Sequence, residues 1–287
     1  MRAALPPTWQ ARSALVLLLG LVLGAVVVPL AAPTDPRFIG DVLALRYLPP
    51  GATDSTGNFH LLGTDRFGRD IFVRVMLAAR ISLFVGVVGS LLAGGTGICV
   101  GALAGWRRGM VDRVAMAVSD ALLAIPRLVL LLVCAALWAP GTGMVLTVLT
   151  ATGWMGVARL VRAEVLGLGT RPFIEAARAL GASPRRVLWR HVLPNALGSA
   201  TVAITLGVGS AILLESGLSF LGLGVQPPQP SWGNMIADGR NSIVTAPWVA
   251  LAPGLAVIAT VLACTLLGDA LRDRLAGEET ITIRDRA

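Results

Sequence analysis

The sequence predicts an all-α, polytopic membrane protein of about six transmembrane helices. Three observations predict it. Of its 287 residues, 55% are apolar and 14% charged, which leaves a water-soluble domain too little polar surface to cover itself. Six stretches meet or approach the roughly 20 apolar residues that a helix needs to cross a hydrocarbon core about 30 Å thick, where backbone groups must be satisfied within the segment. The basic residues are interrupted by these apolar runs, which argues against a nucleic-acid binder despite the net charge of +8.

The first span is Ala14–Ala32, uncharged and preceded by Arg2 and Arg12. Leu30-Ala31-Ala32-Pro33 offers small residues for a signal-peptide cut, but the apolar run exceeds the usual length, so a retained span is expected. Residues 33–80 are polar, rich in Asp and Arg, and turn at Pro49-Pro50-Gly51; they are expected to form an extramembrane loop and not a domain. The second span, Ile81–Trp106, carries Ala93, Gly97, Gly101 and Gly105 at four-residue intervals. That face of small side chains permits close helix packing, expected within the chain itself.

A turn from Arg107 to Arg113 leads to a third span, Val114–Ala139, holding Asp120 and Arg127. Pro140-Gly141 separates it from a fourth, Gly141–Ala158. A basic segment, Arg159–His191, precedes the fifth span, Ala196–Leu221, which contains Glu215. A Pro/Gly-rich loop, Gly222–Ala246, leads to the sixth, Pro247–Gly268, and a charged tail. The expected division is thus 1–80 (first helix and loop), 81–275 (five-helix core) and 276–287 (tail).

Positively charged segments stay in the cytoplasm. With the N-terminus inside, the cytoplasmic segments hold 16 arginines against 7 outside, so both termini are expected to be cytoplasmic. All 24 basic residues are Arg. A phosphate-binding P-loop needs Lys, so any ATP chemistry is expected to belong to a partner, and the chain itself is not expected to be an enzyme. Cys99, Cys134 and Cys264 lie in separate apolar segments, and only His60 and His191 are present. No metal set or hydrolytic nucleophile can be assembled from these.

Within the basic segment, residues 170–194 read as an elbow of two short helices. Pro172 suits a first helical turn; Phe173, Ala177 and Leu180 form a narrow apolar stripe; Gly181 permits the left-handed conformation that stops a helix. Ser183-Pro184 reads as an N-cap and first residue of a second helix, ending at His191. Such an elbow serves equally well as a rigid knob in a partner's groove or as an amphipathic helix on the lipid surface.

Glu175-Ala176-Ala177, then Gly181, then Leu193-Pro194, resembles the EAA coupling motif of bacterial ABC importer permeases. Leu62-Gly63-Thr64-Asp65 with Gly68-Arg69-Asp70, Ala79-Arg80-Ile81-Ser82-Leu83, and the run Glu215–Gly224 are similar to the C-type permease of dipeptide, oligopeptide and nickel importers. His191 stands where the broader family often has an aliphatic residue. The resemblance covers about Leu62–Leu275 and implies a type I importer permease fold. It also implies a heteromeric importer: this permease, a second homologous permease, two ABC ATPase subunits and an extracytoplasmic substrate-binding protein, in a bacterial cytoplasmic membrane. ATP and Mg would be held by the ATPases, with no cofactor on this chain. Glu175, Ala176, Ala177 and Gly181 would sit in the ATPase groove, with Leu193 and Pro194 completing the coupling motif.

Ionisable groups at membrane depth are costly and often functional, which makes Asp120, Arg127 and Glu215 candidates for the translocation path. Seven residues apart, Asp120 and Arg127 are expected on one helix face, two turns from each other. Structural pairing is favoured over substrate contact for these groups. Gln226–Gly233, stiff with proline, is either part of an external gate or binding-protein platform or, with Trp232 at the headgroups, a simple anchor, which is slightly favoured. Peptide import is the leading expectation, with nickel or another small solute as the alternative. A stand-alone secondary transporter is the competing class; no internal repeat of the kind that class often shows is evident.

Overall fold

A computed structural model describes residues 9–32, 42–55 and 57–284. Asp35, Arg37 and Asp41 of the first loop, and the junction at Pro33, lie outside the described residues. Among those described, five helical runs are long and apolar enough to span a membrane. They are α1 (Trp9–Ala31), α3 (Ile71–Arg107), α6 (Thr142–Leu168), the continuous run of α8 (Pro184–Val187) into α9 (Leu193–Phe220), and α11 (Trp248–Arg284).

The expected third span is broken in two. α4 (Gly109–Leu123) and α5 (Arg127–Leu137) replace it, separated at Pro126. Proline has no N–H for the carbonyl four residues back and disfavours helical backbone at the residue before it, so the helix stops at Leu123 and restarts with Pro126 as N-cap. Asp120 and Arg127 therefore sit on different helices and do not share a face. α6 also runs ten residues beyond the expected end at Ala158, which puts Arg159 and Arg162 on a helix instead of in a loop. α11 continues to Arg284, through most of the segment expected to be a tail.

α3 starts at Ile71, ahead of the expected Ile81, because Asp70 caps it: Asp70 Oδ1 accepts from the Val73 N–H at 2.9 Å. The preceding loop holds α2 (Val42–Leu45) and a small antiparallel hairpin of β1 (Ala52–Thr53) and β2 (Phe59–His60). Buried Asp65 organises the rest. Its carboxylate accepts from the N–H groups of Phe67 (2.8 Å) and Arg69 (3.0 Å) and from Arg69 Nε (2.7 Å). Thr64 donates its hydroxyl to the Leu45 carbonyl and accepts from the Leu48 N–H. Gly63 turns at φ +76°, where a Cβ would stand 2.4 Å from the Leu48 carbonyl oxygen. The Leu62–Asp70 string thus folds as one hydrogen-bonded loop.

α3 is the central helix and packs along α6 for much of its length, then on α9 and α1. The glycine face makes this possible. A Cβ at Gly97 would meet the Trp154 carbonyl oxygen at 2.6 Å, and one at Gly101 would meet that of Ala158 at 2.3 Å. Ala93 and Gly153 meet on the same seam. The small-residue stripe is an internal helix contact, as expected. α11 packs on α9, α1 and α10 (Trp232–Gly239).

α1 joins the bundle through one polar contact with a local cause. Pro29, inside α1, leaves the Ala25 carbonyl without its helical donor. Arg80 of α3 supplies one: its Nε donates to Ala25 O at 2.6 Å and its Nη2 to Val26 O at 3.2 Å.

The loop after α9 folds back into the bundle and is not the external anchor expected for Trp232. That residue is fully buried, its indole N–H donating to the Val75 carbonyl at 3.0 Å. Ser231 and Asn234 form a reciprocal cap that starts α10, and Arg66 pairs with Asp238 at 3.1 Å across the loops. The loops 42–70 and 222–246 thus share one end of the bundle. The 170–194 elbow lies at the other.

Two predictions follow from the packing. Gly101→Ala places its methyl against a backbone carbonyl that cannot swing aside; an overpacking cost of about 1–3 kcal/mol is expected, read as a lower melting temperature in detergent, while Gly95→Ala, with open space around it, is neutral. Arg80→Leu is expected to cost about 1 kcal/mol through the orphaned Ala25 carbonyl and to increase proteolysis of α1. Adding Pro29→Ala should return part of that loss, since the helix then supplies its own donor.

Candidate functional site

The elbow is built from local signals. α6 ends at Gly169, and α7 (Pro172–Ala179) begins with Pro172 at its first position, where a missing N–H costs nothing. Its end is a Schellman motif: the Ala182 N–H bonds the Ala177 carbonyl at 3.1 Å and the Gly181 N–H bonds that of Arg178 at 2.9 Å, with Gly181 at φ +80°. Ser183 then caps α8, its hydroxyl oxygen accepting from the Arg186 N–H at 3.4 Å, with Pro184 at the first position.

The second helix does not end at His191. It passes through a π-helical turn, Leu188–Val192, directly into α9. Pro194 gives the reason: it offers no N–H, and the turn re-pairs with the Leu193 N–H bonding the Leu188 carbonyl five residues back. Leu193 and Pro194 are thus the joint between the elbow and a membrane span.

The buried face of α7 differs from the predicted stripe. Ile174 is fully buried with Val187 and Val192 against Val161 and Val165 of α6, and Ala177 and Ala182 pack on the same cluster. Phe173 and Leu180 point out instead, 45% and 89% exposed, beside exposed Glu175 and Ala176. Arg178 lies over the Trp106 ring at 5.7 Å, on a cavity of about 300 Å³ between the elbow and the ends of α3 and α6. Ile174 and Trp106 escaped the sequence reading because the 173/177/180 spacing also fits a helical face; Ile174 beside Ala177 was the other face available.

The polar residues of the spans fall into two groups. One binds the broken third span to α6: Arg162 holds Asp112 through two hydrogen bonds, Nη2–Oδ2 being 2.6 Å, Arg159 pairs with Asp120, and Arg127 Nε donates to Thr152 Oγ1 at 3.1 Å. The other group centres on Glu215, which is fully buried. Ser219 and Ser82 donate to its two carboxylate oxygens at 2.7 and 3.1 Å; Ser82 also accepts from the Trp232 N–H, and Ser219 from the Val225 N–H. Glu215 therefore ties α3, α9 and α10 together.

Residues 97–277 match the binding-protein-dependent transport system inner membrane component profile. The chain belongs to that family. This permease is 40% identical over 92% of its length to a putative peptide transport system permease protein of Brucella suis, covering 86% of that protein. It is 38% identical over 92% of its length to the dipeptide transport system permease protein DppC of Bacillus subtilis, 81% of which is covered. In fold it is similar to the inward-facing MetNI methionine ABC transporter, at a TM-score of 0.59 and 20% identity over 70% of this permease and 96% of that chain. The chain is a membrane component of an ABC importer, and such a permease works with ATPase and substrate-binding partners.

Glu215→Leu is expected to leave the hydroxyl hydrogens of Ser82 and Ser219 without their acceptor in the interior, at about 1–3 kcal/mol for each unsatisfied donor, and to reduce the yield of folded protein in mild detergent. Glu215→Gln keeps polar atoms at both positions and is expected to retain most of that yield.

Proposed function

We propose that this permease carries di- or oligopeptides across the cytoplasmic membrane by alternating access, paired with a second homologous permease. Two ATPase subunits, holding ATP and Mg, and an external substrate-binding protein complete the importer. The observation that carries this reading is the elbow. A closed helix end, a capped restart and continuous helix from α8 into α9 give a rigid knob, packed on α6 through Ile174. Its outward surface presents Phe173, Leu180, Glu175 and Ala176 without a partner from the described residues' core.

A rigid knob of that shape, seated in an ATPase groove, moves the flanking spans together when the ATPases close. α6 and α9 are those spans, and both pack on α3. Outward-open and inward-open arrangements are then two packings of one bundle. Ala177, half-buried against α6, anchors the knob, while Glu175, Ala176 and Gly181 meet the groove. The arginine distribution supports a cytoplasmic side for both termini. The peptide assignment follows the names of the relatives.

The reading is tested by purifying the tagged chain from its native cell in mild detergent and identifying what accompanies it. Two P-loop ATPases and a second permease are expected. Gly181→Pro and Glu175→Arg are expected to insert normally yet abolish peptide uptake; normal uptake in both variants, or repeated recovery of the folded chain alone, would overturn the proposal.

A further inference from the structure

The break in the third span is more than an interruption. Pro126 leaves α5 with no side-chain cap, so the start of an eleven-residue helix lies uncapped at the gap between α4 and α5. Arg127 lies at that gap, half-buried, midway along a chain segment that crosses the bundle. Its Nε is committed to Thr152, which itself donates to the Val148 carbonyl. The far end of the guanidinium remains. Among the described residues no carboxylate pairs with it, since Asp112 and Asp120 are taken by Arg162 and Arg159.

A cavity of about 170 Å³ opens at this place, lined by Pro126, Arg127 and Leu130 on one side and Ala151, Thr152 and Met155 on the other. Gly153 of α6 lies beside Arg127 Nη2, which is 3.5 Å from the place a Cβ there would take. A cation at membrane depth that lacks a counter-charge is costly, and the cost is offset when an anionic group occupies the site. A broken helix that directs its positive end at a mid-membrane cavity favours the same kind of group.

Resting on the peptide-import reading above, we infer that Arg127 and the start of α5 form a subsite on the translocation path for the C-terminal carboxylate of the transported peptide. Thr152 positions the guanidinium by holding Nε, beside the cavity that both residues line. A planar guanidinium offers two parallel donors to a carboxylate, which a lysine ammonium does not reproduce. The apolar remainder of the lining makes no demand on the adjoining side chain, as suits a carrier of varied peptides.

The test uses the complete importer, with its binding protein, in liposomes. Uptake is measured for a panel of dipeptides with free carboxyl termini and for the same dipeptides as C-terminal amides. The binding protein is unchanged throughout, so its own preference cancels when wild type is compared with variant. Arg127→Gln is expected to lower the preference for free acid over amide by about tenfold or more, the loss of a charge-assisted hydrogen-bonded pair, while ATP-driven uptake of the amides continues. Arg127→Lys is expected to lower it by less, and Thr152→Val to lower it without removing the charge; these two carry the test if Arg127→Gln fails to assemble. An unchanged preference in the variants, with peptides still transported, overturns the carboxylate subsite alone. Transport of no dipeptide, nor of longer oligopeptides offered in the same assay, by the wild-type importer overturns the peptide reading and the subsite with it.

Discussion

The contact of α3 with α6, backbone against backbone, is the constraint on which the rest of the structure depends. Gly97 and Gly101 have no side chain, so the two helices approach until Cα atoms of one lie near carbonyls of the other. In lipid, packing of this kind has to do what the hydrophobic effect does in water, because a hydrocarbon solvent is as apolar as the helix surface. Everything at the elbow is referred to that seam: Val161 and Val165, which receive Ile174 and Val187, stand on α6 within reach of Ala102 of α3. A displacement of α7 is therefore a displacement of the helix most firmly joined to the centre of the bundle.

Polar groups complete the joints that small side chains cannot. Three of them answer a particular backbone or side-chain demand. Arg80 meets the carbonyl that Pro29 leaves open, the Leu193 N–H meets the carbonyl displaced near Pro194, and Glu215 gathers the hydroxyls of Ser82 and Ser219. The arginines along α6 differ, because they hold a broken and loosely packed third span through ion pairs at its edge. Packed seams transmit movement rigidly, whereas an edge held by charges can shift between arrangements. The same bundle thus contains a stiff part, from the elbow to α3, and a part suited to opening and closing.

Much of this was legible in the chain. The order of the five spanning runs followed from apolar run length, since a helix must satisfy its own backbone across the hydrocarbon, while the expected third of six spans is broken in two. The end of α7 followed from Gly181 and the start of α8 from Ser183-Pro184, because both are decided by residues adjacent in sequence. Where the linear reading went astray, a distant residue decided. The third span was expected whole because its composition is apolar throughout, and nothing adjacent stated whether Pro126 would bend the helix or end it. Trp232 looked like a headgroup anchor until the Val75 carbonyl and the close approach of Gly233 to Ser216 drew it inside.

The sequence by itself determined the class of protein, the helix-ending signals of the elbow and the stripe of small residues, for these depend on composition and on neighbours within one turn. Only the tertiary structure decided which face of α7 is buried, that Arg80 serves α1, that Asp120 and Arg127 part company, and that Glu215 is enclosed. Those outcomes depend on what lies opposite each side chain. A helix presents every face equally in its sequence, and only its packing selects the one turned inward.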